Sequence, residues 1–321
     1  MTESLSQYKN IKSTQISIKT DSKSFTAPIV LIRRLAFGIA IATWMVMAIG
    51  SATRVMNAGL ACPDWPLCYG SVLPTEQMNL QVFLEWFHRL VASTVGFATL
   101  VLFSAGWYYR QELPKWLPKA ISGSLSLVIF QGVLGGLTVT QLLRFDIVTA
   151  HLGTGLLFFS SLLAIAMAAG KSELSEVTSI PKLAWLGLAA AVLVYLQSIL
   201  GALVASQWAL HQCFATQDMC IVLNTHLVGV IPATVASLAV VVVAWRTKAI
   251  APVLRRVASF AGLLVLTQVA IGYATYKLHL QVEPLTIAHQ ATGSALLGTL
   301  VCFTVLAFKA VRQDQALLAT E

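Results

Sequence analysis

Long apolar runs separated by short polar connections set the pattern of this chain. Eight of them stand out, at about 35–54, 85–107, 120–140, 148–169, 183–205, 222–245, 257–276 and 285–308. Each approaches the ~20 residues needed to cross ~30 Å of hydrocarbon at 1.5 Å per residue. Backbone groups find no partners in lipid, so such segments must be helices or strands of a closed barrel. Runs this long and continuous predict helices. The first 30 residues are polar and rich in Ser, Thr and Lys, which predicts a disordered tail. That tail lacks the apolar core and cleavage site of a secretory signal, and Glu3 and Asp21 argue against a transit peptide.

Composition agrees with a membrane protein: 57% of residues are hydrophobic, 11% are charged, and the mean hydropathy is +0.77. A formal charge of +8 would suit a nucleic-acid partner, but its distribution points elsewhere. With the N-terminus inside, 17 of the 21 Lys and Arg fall in inside segments. Arg54, Arg144 and Lys277 fall in outside connections, and Arg89 at an outside helix end. This positive-inside asymmetry predicts cytoplasmic termini at both ends.

The helices repeat. His88, His151, His226 and His289 each stand near the outside start of an even-numbered helix, and the His88–His151 and His226–His289 separations are both 63 residues. "QGVLGGLT", "QSILGALV" and "QVAIGYAT" in helices 3, 5 and 7 share a Gln with a Gly four positions later, and "AIGSAT" in helix 1 keeps only the Gly. "AHLGTG" at 150–155 matches "AHQATG" at 288–293. The expected architecture is therefore an all-α integral membrane protein of eight helices in two tandem four-helix bundles, residues 31–172 and 173–321, after the tail at 1–30. Parallel repeats also occur in transporters, so the repeat alone does not select a function.

Two cysteine pairs follow the same logic. Cys62 and Cys68 in "CPDWPLC", and Cys213 and Cys220 in "CFATQDMC", occupy equivalent outside loops. An oxidising compartment makes two loop disulfides the expected state. The rival is metal binding through His211 and its neighbours, with a spacing unlike common zinc sites. Cys302, inside helix 8, reads as a small core residue.

A single buried His is often only a hydrogen-bonded polar residue, but four at matched depth ask for more. Two neutral imidazoles facing each other across a bundle suit the axial positions of a haem iron. A bare metal would want further ligands, and no second His or carboxylate lies one turn away on helices 4, 6 or 8. Gly153, Thr154 and Gly155, Gly229, and Thr292, Gly293 and Ser294 would let a flat macrocycle approach the backbone. Arg54, Arg89, Arg144 and Lys277 stand at the level where propionates would need cations. The halves differ at one place: Glu85 and Arg89, beside His88, align with Leu223 and Leu227 beside His226. A carboxylate near a haem edge has no part in ligation but suits proton or charge handling during chemistry on the ring.

"EWFHR" at 85–89, "CPDWPLCYG" at 62–70, "TAHLGTG" at 149–155 and "AHQATG" at 288–293 resemble the haem A synthase family, which oxidises the C8 methyl of haem O to a formyl group. The resemblance runs from about residue 30 to the C-terminus. It implies that His88 and His151 flank the substrate haem O, that His226 and His289 ligate a haem b cofactor through its iron, and that Glu85 is catalytic. It also implies that Cys62 and Cys68 match the family's first-loop pair and that Cys213 and Cys220 match its second-loop disulfide. The expected setting is a bacterial cell membrane, with haem O synthase as a candidate partner. Two other readings of the residues stay open: a quinol-linked di-haem electron-transfer protein, which leaves Glu85 idle, and a haem transporter.

Overall fold

The computed structural model describes residues 27–170, 181–205, 221–248, 250–278 and 281–318. Eight helices account for nearly all of them: α1 (Ala27–Val55), α2 (Leu80–Tyr108), α3 (Trp116–Thr140), α4 (Phe145–Ala168), α5 (Pro181–Ala205), α6 (Ile221–Arg246), α7 (Pro252–Lys277) and α8 (Glu283–Leu318). All eight are long and apolar enough to span a membrane. The only β pairing among the described residues is one isolated bridge, Cys68 to Ser71.

Several helices outrun the apolar segments that announce them. Helix α1 begins at Ala27, so residues 27–30, expected in the tail, are helical. Pro28 in its first turn lacks only an N–H that a helix start leaves unpaired anyway. Helix α2 begins at Leu80 because the Asn79 side chain accepts the Val82 N–H at 3.0 Å. Hydropathy reads where hydrocarbon ends, whereas caps decide where the helix ends.

The helices close two equivalent rings. In the first, α1 touches α2 and α4, and α3 touches α2 and α4; in the second, α5 touches α6 and α8, and α7 touches α6 and α8. The expected tandem bundles are present. They join through α4 and α8, with α1 against α8 and α4 against α5. Half of the most apolar window of α4 and 61% of that of α8 are buried, against 17–28% for the other six, so these two helices form the centre. The large apolar side chains left outside, such as Phe97, Trp185, Val235 and Leu263, lie on the peripheral helices, where lipid would cover them.

Lipid is as apolar as a leucine side chain, so close packing and polar contacts hold such helices together. A methyl on Gly298 of α8 would stand 2.7 Å from Phe159 of α4, and one on Gly153 of α4 would stand 2.7 Å from Ile199 of α5. Both contacts cross the junction between the rings. Trp44 Nε1 of α1 donates to the Ala291 carbonyl of α8 at 2.9 Å. Lys309 of α8 donates to the Met167, Ala168 and Gly170 carbonyls, which satisfies the C-terminal end of α4.

Candidate functional site

Each of the four histidines lies against a glycine on the preceding odd-numbered helix. A methyl on Gly50 would come 2.8 Å from Cε1 of His88, on Gly135 3.5 Å from that of His151, on Gly201 3.0 Å from that of His226, and on Gly272 2.7 Å from that of His289. These are the glycines that the odd-helix repeat shares. At Gly50, Gly201 and Gly272 the missing Cβ is what lets the imidazole edge approach the neighbouring helix so closely.

Three glycines of the second set of small residues face glutamines. Gly155 faces the Gln131 amide, Gly229 faces Gln197, and Gly293 faces Gln268. They seat glutamines, Gly153 packs on Ile199, and Gly293 and Ser294 also line the cavity between α5, α6, α7 and α8. In the first helix pair both partners of this contact are missing: Val46 stands where the glutamine would be, and Ala92 lies four residues after His88. The glutamines are the residues whose role the repeat did not reveal. Gln197 Nε2 donates to the His226 carbonyl at 2.7 Å and lies 3.0 Å from its Nδ1, and Gln268 Nε2 lies 3.3 Å from Nε2 of His289.

A cavity of about 350 Å³ opens between α5, α6, α7 and α8, with His226 and His289 among its lining residues. Gln197 and Gln268 line it as well. Helices α1 and α4 complete one wall through Ser51, Arg54, Leu152 and Leu156.

Around His88 the surroundings are polar and tightly bonded. Glu85 is 3% exposed. Its Oε2 accepts the Cys62 N–H at 2.8 Å, and its Oε1 pairs with Arg89 Nη2 at 2.6 Å. A solvated carboxylate at the helix start is therefore not what the structure contains. Arg89 also donates to the Asp64, Leu67 and Cys62 carbonyls, at 2.6, 2.5 and 3.3 Å. Its guanidinium is spent on the loop and is not a free propionate anchor. Cys62 and Cys68 form a disulfide within this loop, as expected.

Asp64 closes the same loop by accepting the Tyr69 and Gly70 N–H groups at 2.6 and 2.8 Å. Those bonds, the Gly70 one foremost, hold its carboxyl below the usual carboxylate range. The Trp65 indole packs on Gly136 of α3, next to the Gly135 that seats His151. The 56–79 connection thus touches both helix pairs that carry the first two histidines. Asp64 escaped notice in the sequence, where its signal was the Y-G turn five residues on.

Cys302 carries a free thiol and is half-buried, less enclosed than expected. Cys213, Cys220 and His211 lie outside the described residues. Among the described residues no cluster of three His, Cys, Asp or Glu could hold a bare metal ion.

The sequence model of the cytochrome oxidase assembly protein family, COX15-CtaA, matches residues 33–301. The chain belongs to that family. It is similar to the heme A synthase of Shewanella oneidensis, 27% identical over 314 residues that cover 82% of this chain and 92% of that one. The heme A synthase of Geobacillus thermodenitrificans is 37% identical over 120 residues, 36% of this chain and 35% of its own. A protoheme IX farnesyltransferase of Haloarcula marismortui is 29% identical over 147 residues, 46% of this chain and 29% of its own.

For a COX15-CtaA protein the relevant question is whether these residues fit a haem. Nδ1 of His88, His151 and His289 is buried without a hydrogen-bond partner, and so are the Oε1 atoms of Gln131, Gln197 and Gln268. Of these, the His289, Gln197 and Gln268 atoms belong to residues lining the mostly apolar second cavity, where a bound ligand would meet them. The residues lining the second cavity fit a haem.

Proposed function

We infer that the protein is a haem A synthase, an oxidoreductase acting on a CH group: it oxidises the C8 methyl of haem O to the formyl group of haem A. His88 and His151 flank the substrate haem O in the first bundle (31–172). His226 and His289 hold a haem b in the second (173–321), which supplies electron transfer when bound. The observation that carries this division is local. Glu85, buried and fixed by Arg89 and Cys62, stands beside His88, while the equivalent positions beside His226 are Leu223 and Leu227.

Glu85 is one turn from His88 along α2, about 4.5 Å by helix rise. Its two oxygens are fixed by the Arg89 guanidinium and the Cys62 amide. A fixed carboxylate there offers a base, or a counter-charge, where a ring methyl loses hydrogen and gains oxygen. The 56–79 loop, held by Asp64, Arg89 and the disulfide, restricts water at that end of the bundle. The face carrying this loop is the outer face of a bacterial cell membrane, with both termini cytoplasmic, a reading that the lysine and arginine distribution supports. Haem O synthase, which makes the substrate, is the natural neighbour of such an enzyme.

The test is chromatography of haem extracted from a host that makes haem O but no haem A. Expression of this chain should produce haem A. Unchanged haem O with two permanently retained haems would favour an electron-transfer cytochrome. Unchanged haem O with altered haem uptake would favour a transporter.

A further inference from the structure

Four cations were expected near one level of the bundle, and the structure separates one from the rest. Arg89 is bonded to Glu85 and to loop carbonyls. Arg144 pairs with Asp146 at 2.6 Å. Lys277 lies 5.6 Å from the centre of the Tyr273 ring. Arg54 is half-buried, in the last turn of α1, and its guanidinium makes no hydrogen bond or ion pair with any described residue.

Arg54 belongs to the first bundle, yet with Ser51 and Val55 it lines the cavity of the second, the one that holds His226 and His289. Among the described residues no Asp or Glu lines that cavity. Helix α1 is held against α8 by the Trp44–Ala291 bond, which makes this placement a feature of how the bundles dock. Arg54, in the last turn of α1, thus shares one cavity with His226 and His289, which stand near the starts of α6 and α8. Thr286 Oγ1 and Gln290 Oε1, also in the cavity lining, are buried without partners. An unpaired cation at membrane depth is costly, and a planar guanidinium matches a carboxylate through two parallel hydrogen bonds.

We propose that Arg54 anchors a carboxylate of the ligand held between His226 and His289, so that the first bundle completes the binding site of the second. This rests on the reading of that cavity as a haem site, and the carboxylate is then a haem propionate. The bundles are joined through the ligand as well as through glycine contacts, and haem loading of the second bundle should report on their docking.

The experiment compares iron protoporphyrin with its dimethyl ester, in which both carboxylates are blocked, on the full-length protein. A His88→Ala background confines binding to the second bundle. The protein with Arg54 intact should bind the free acid about tenfold more tightly than the ester, the scale of one charge-assisted pair. Arg54→Gln should lose that preference with little change toward the ester, and Arg54→Lys should keep part of it. The midpoint potential of the bound haem should fall in Arg54→Gln, because an unpaired propionate favours the ferric state. If Arg54→Gln does not fold, the acid-to-ester ratios with Arg54 and with Lys still decide.

Equal binding of acid and ester with Arg54 intact would overturn the assignment and leave an anionic lipid head group as the occupant. A preference unchanged in Arg54→Gln would also overturn it. So would a loss seen only in a His226→Ala background, where the first bundle alone binds. Failure of either porphyrin to bind with Arg54 intact would overturn the haem reading and this inference with it.

Discussion

Gly272 of α7 lies so close to His289 of α8 that a methyl group on it would stand 2.7 Å from the imidazole Cε1. Real Cβ atoms do not sit that close, so Gly272→Ala must push the ring or part the helices. Overpacking of this kind costs about 1–3 kcal/mol. The expected result is lower haem retention on purification and a changed absorption spectrum. Gly38→Ala, where nothing lies within 4 Å, is the control and should leave both unchanged. Equal behaviour of the two variants would mean that the glycine is not a seat for the imidazole.

Gln197 and Gln131 hold equivalent places in the repeat but make different bonds. Gln197 donates to the His226 carbonyl, while Gln131 packs at Gly155. Gln197→Leu should therefore destabilise the second bundle by roughly 0.5–1.5 kcal/mol, the net value of a typical hydrogen bond, and shift the spectrum of its haem. Gln131→Leu should leave that spectrum unchanged. Thermal unfolding in detergent and absorption spectroscopy on the pair would reveal a spectral change in the wrong variant.

Arg89 links the helix to its loop. Arg89→Ala would leave the buried Glu85 carboxylate without its cation, a loss of about 3–5 kcal/mol for a buried pair. It would also free three loop carbonyls. The 56–79 loop should then be cut by added protease far faster than in the parent, and Arg89→Lys should fall between them. Unchanged protection in Arg89→Ala would show that the disulfide and Asp64 hold the loop alone.

The fold and the histidine repeat were legible in the sequence because both are periodic along the chain. Apolar runs mark the spans, and a 63-residue separation recurs wherever the bundle recurs. What each residue faces was not legible. Gly50 and Gly155 look alike in sequence, yet one seats an imidazole and the other a glutamine, because that depends on how each helix is rotated about its axis. Arg54, Arg89, Arg144 and Lys277 looked equivalent for the same reason. Their partners are loop carbonyls, a neighbouring aspartate, a ring and, for Arg54, a cavity across the bundle junction.

Loop closure should depend on pH in one direction. The Asp64 carboxyl is held below its ordinary value, chiefly by the Gly70 N–H, so the folded loop favours its ionised form. That contribution is complete above the ordinary carboxylate value of about 4 and is lost as pH falls through the lowered one. Protease protection of the loop should be flat from neutral pH down to about 5 and weaken only below about 4, and Asp64→Asn should remove that acid dependence. A loss of protection near pH 6 would point to another group.

The most direct test of the division between a reacting bundle and a cofactor bundle is Glu85→Gln, which keeps the side chain's shape and removes its charge. The measurement is chromatography of the haems extracted from the expressing host, with the spectrum of the purified variant taken alongside. The account predicts that haem O accumulates, haem A largely disappears, and the haem held by His226 and His289 keeps its spectrum. Normal haem A output from the Gln variant would contradict it.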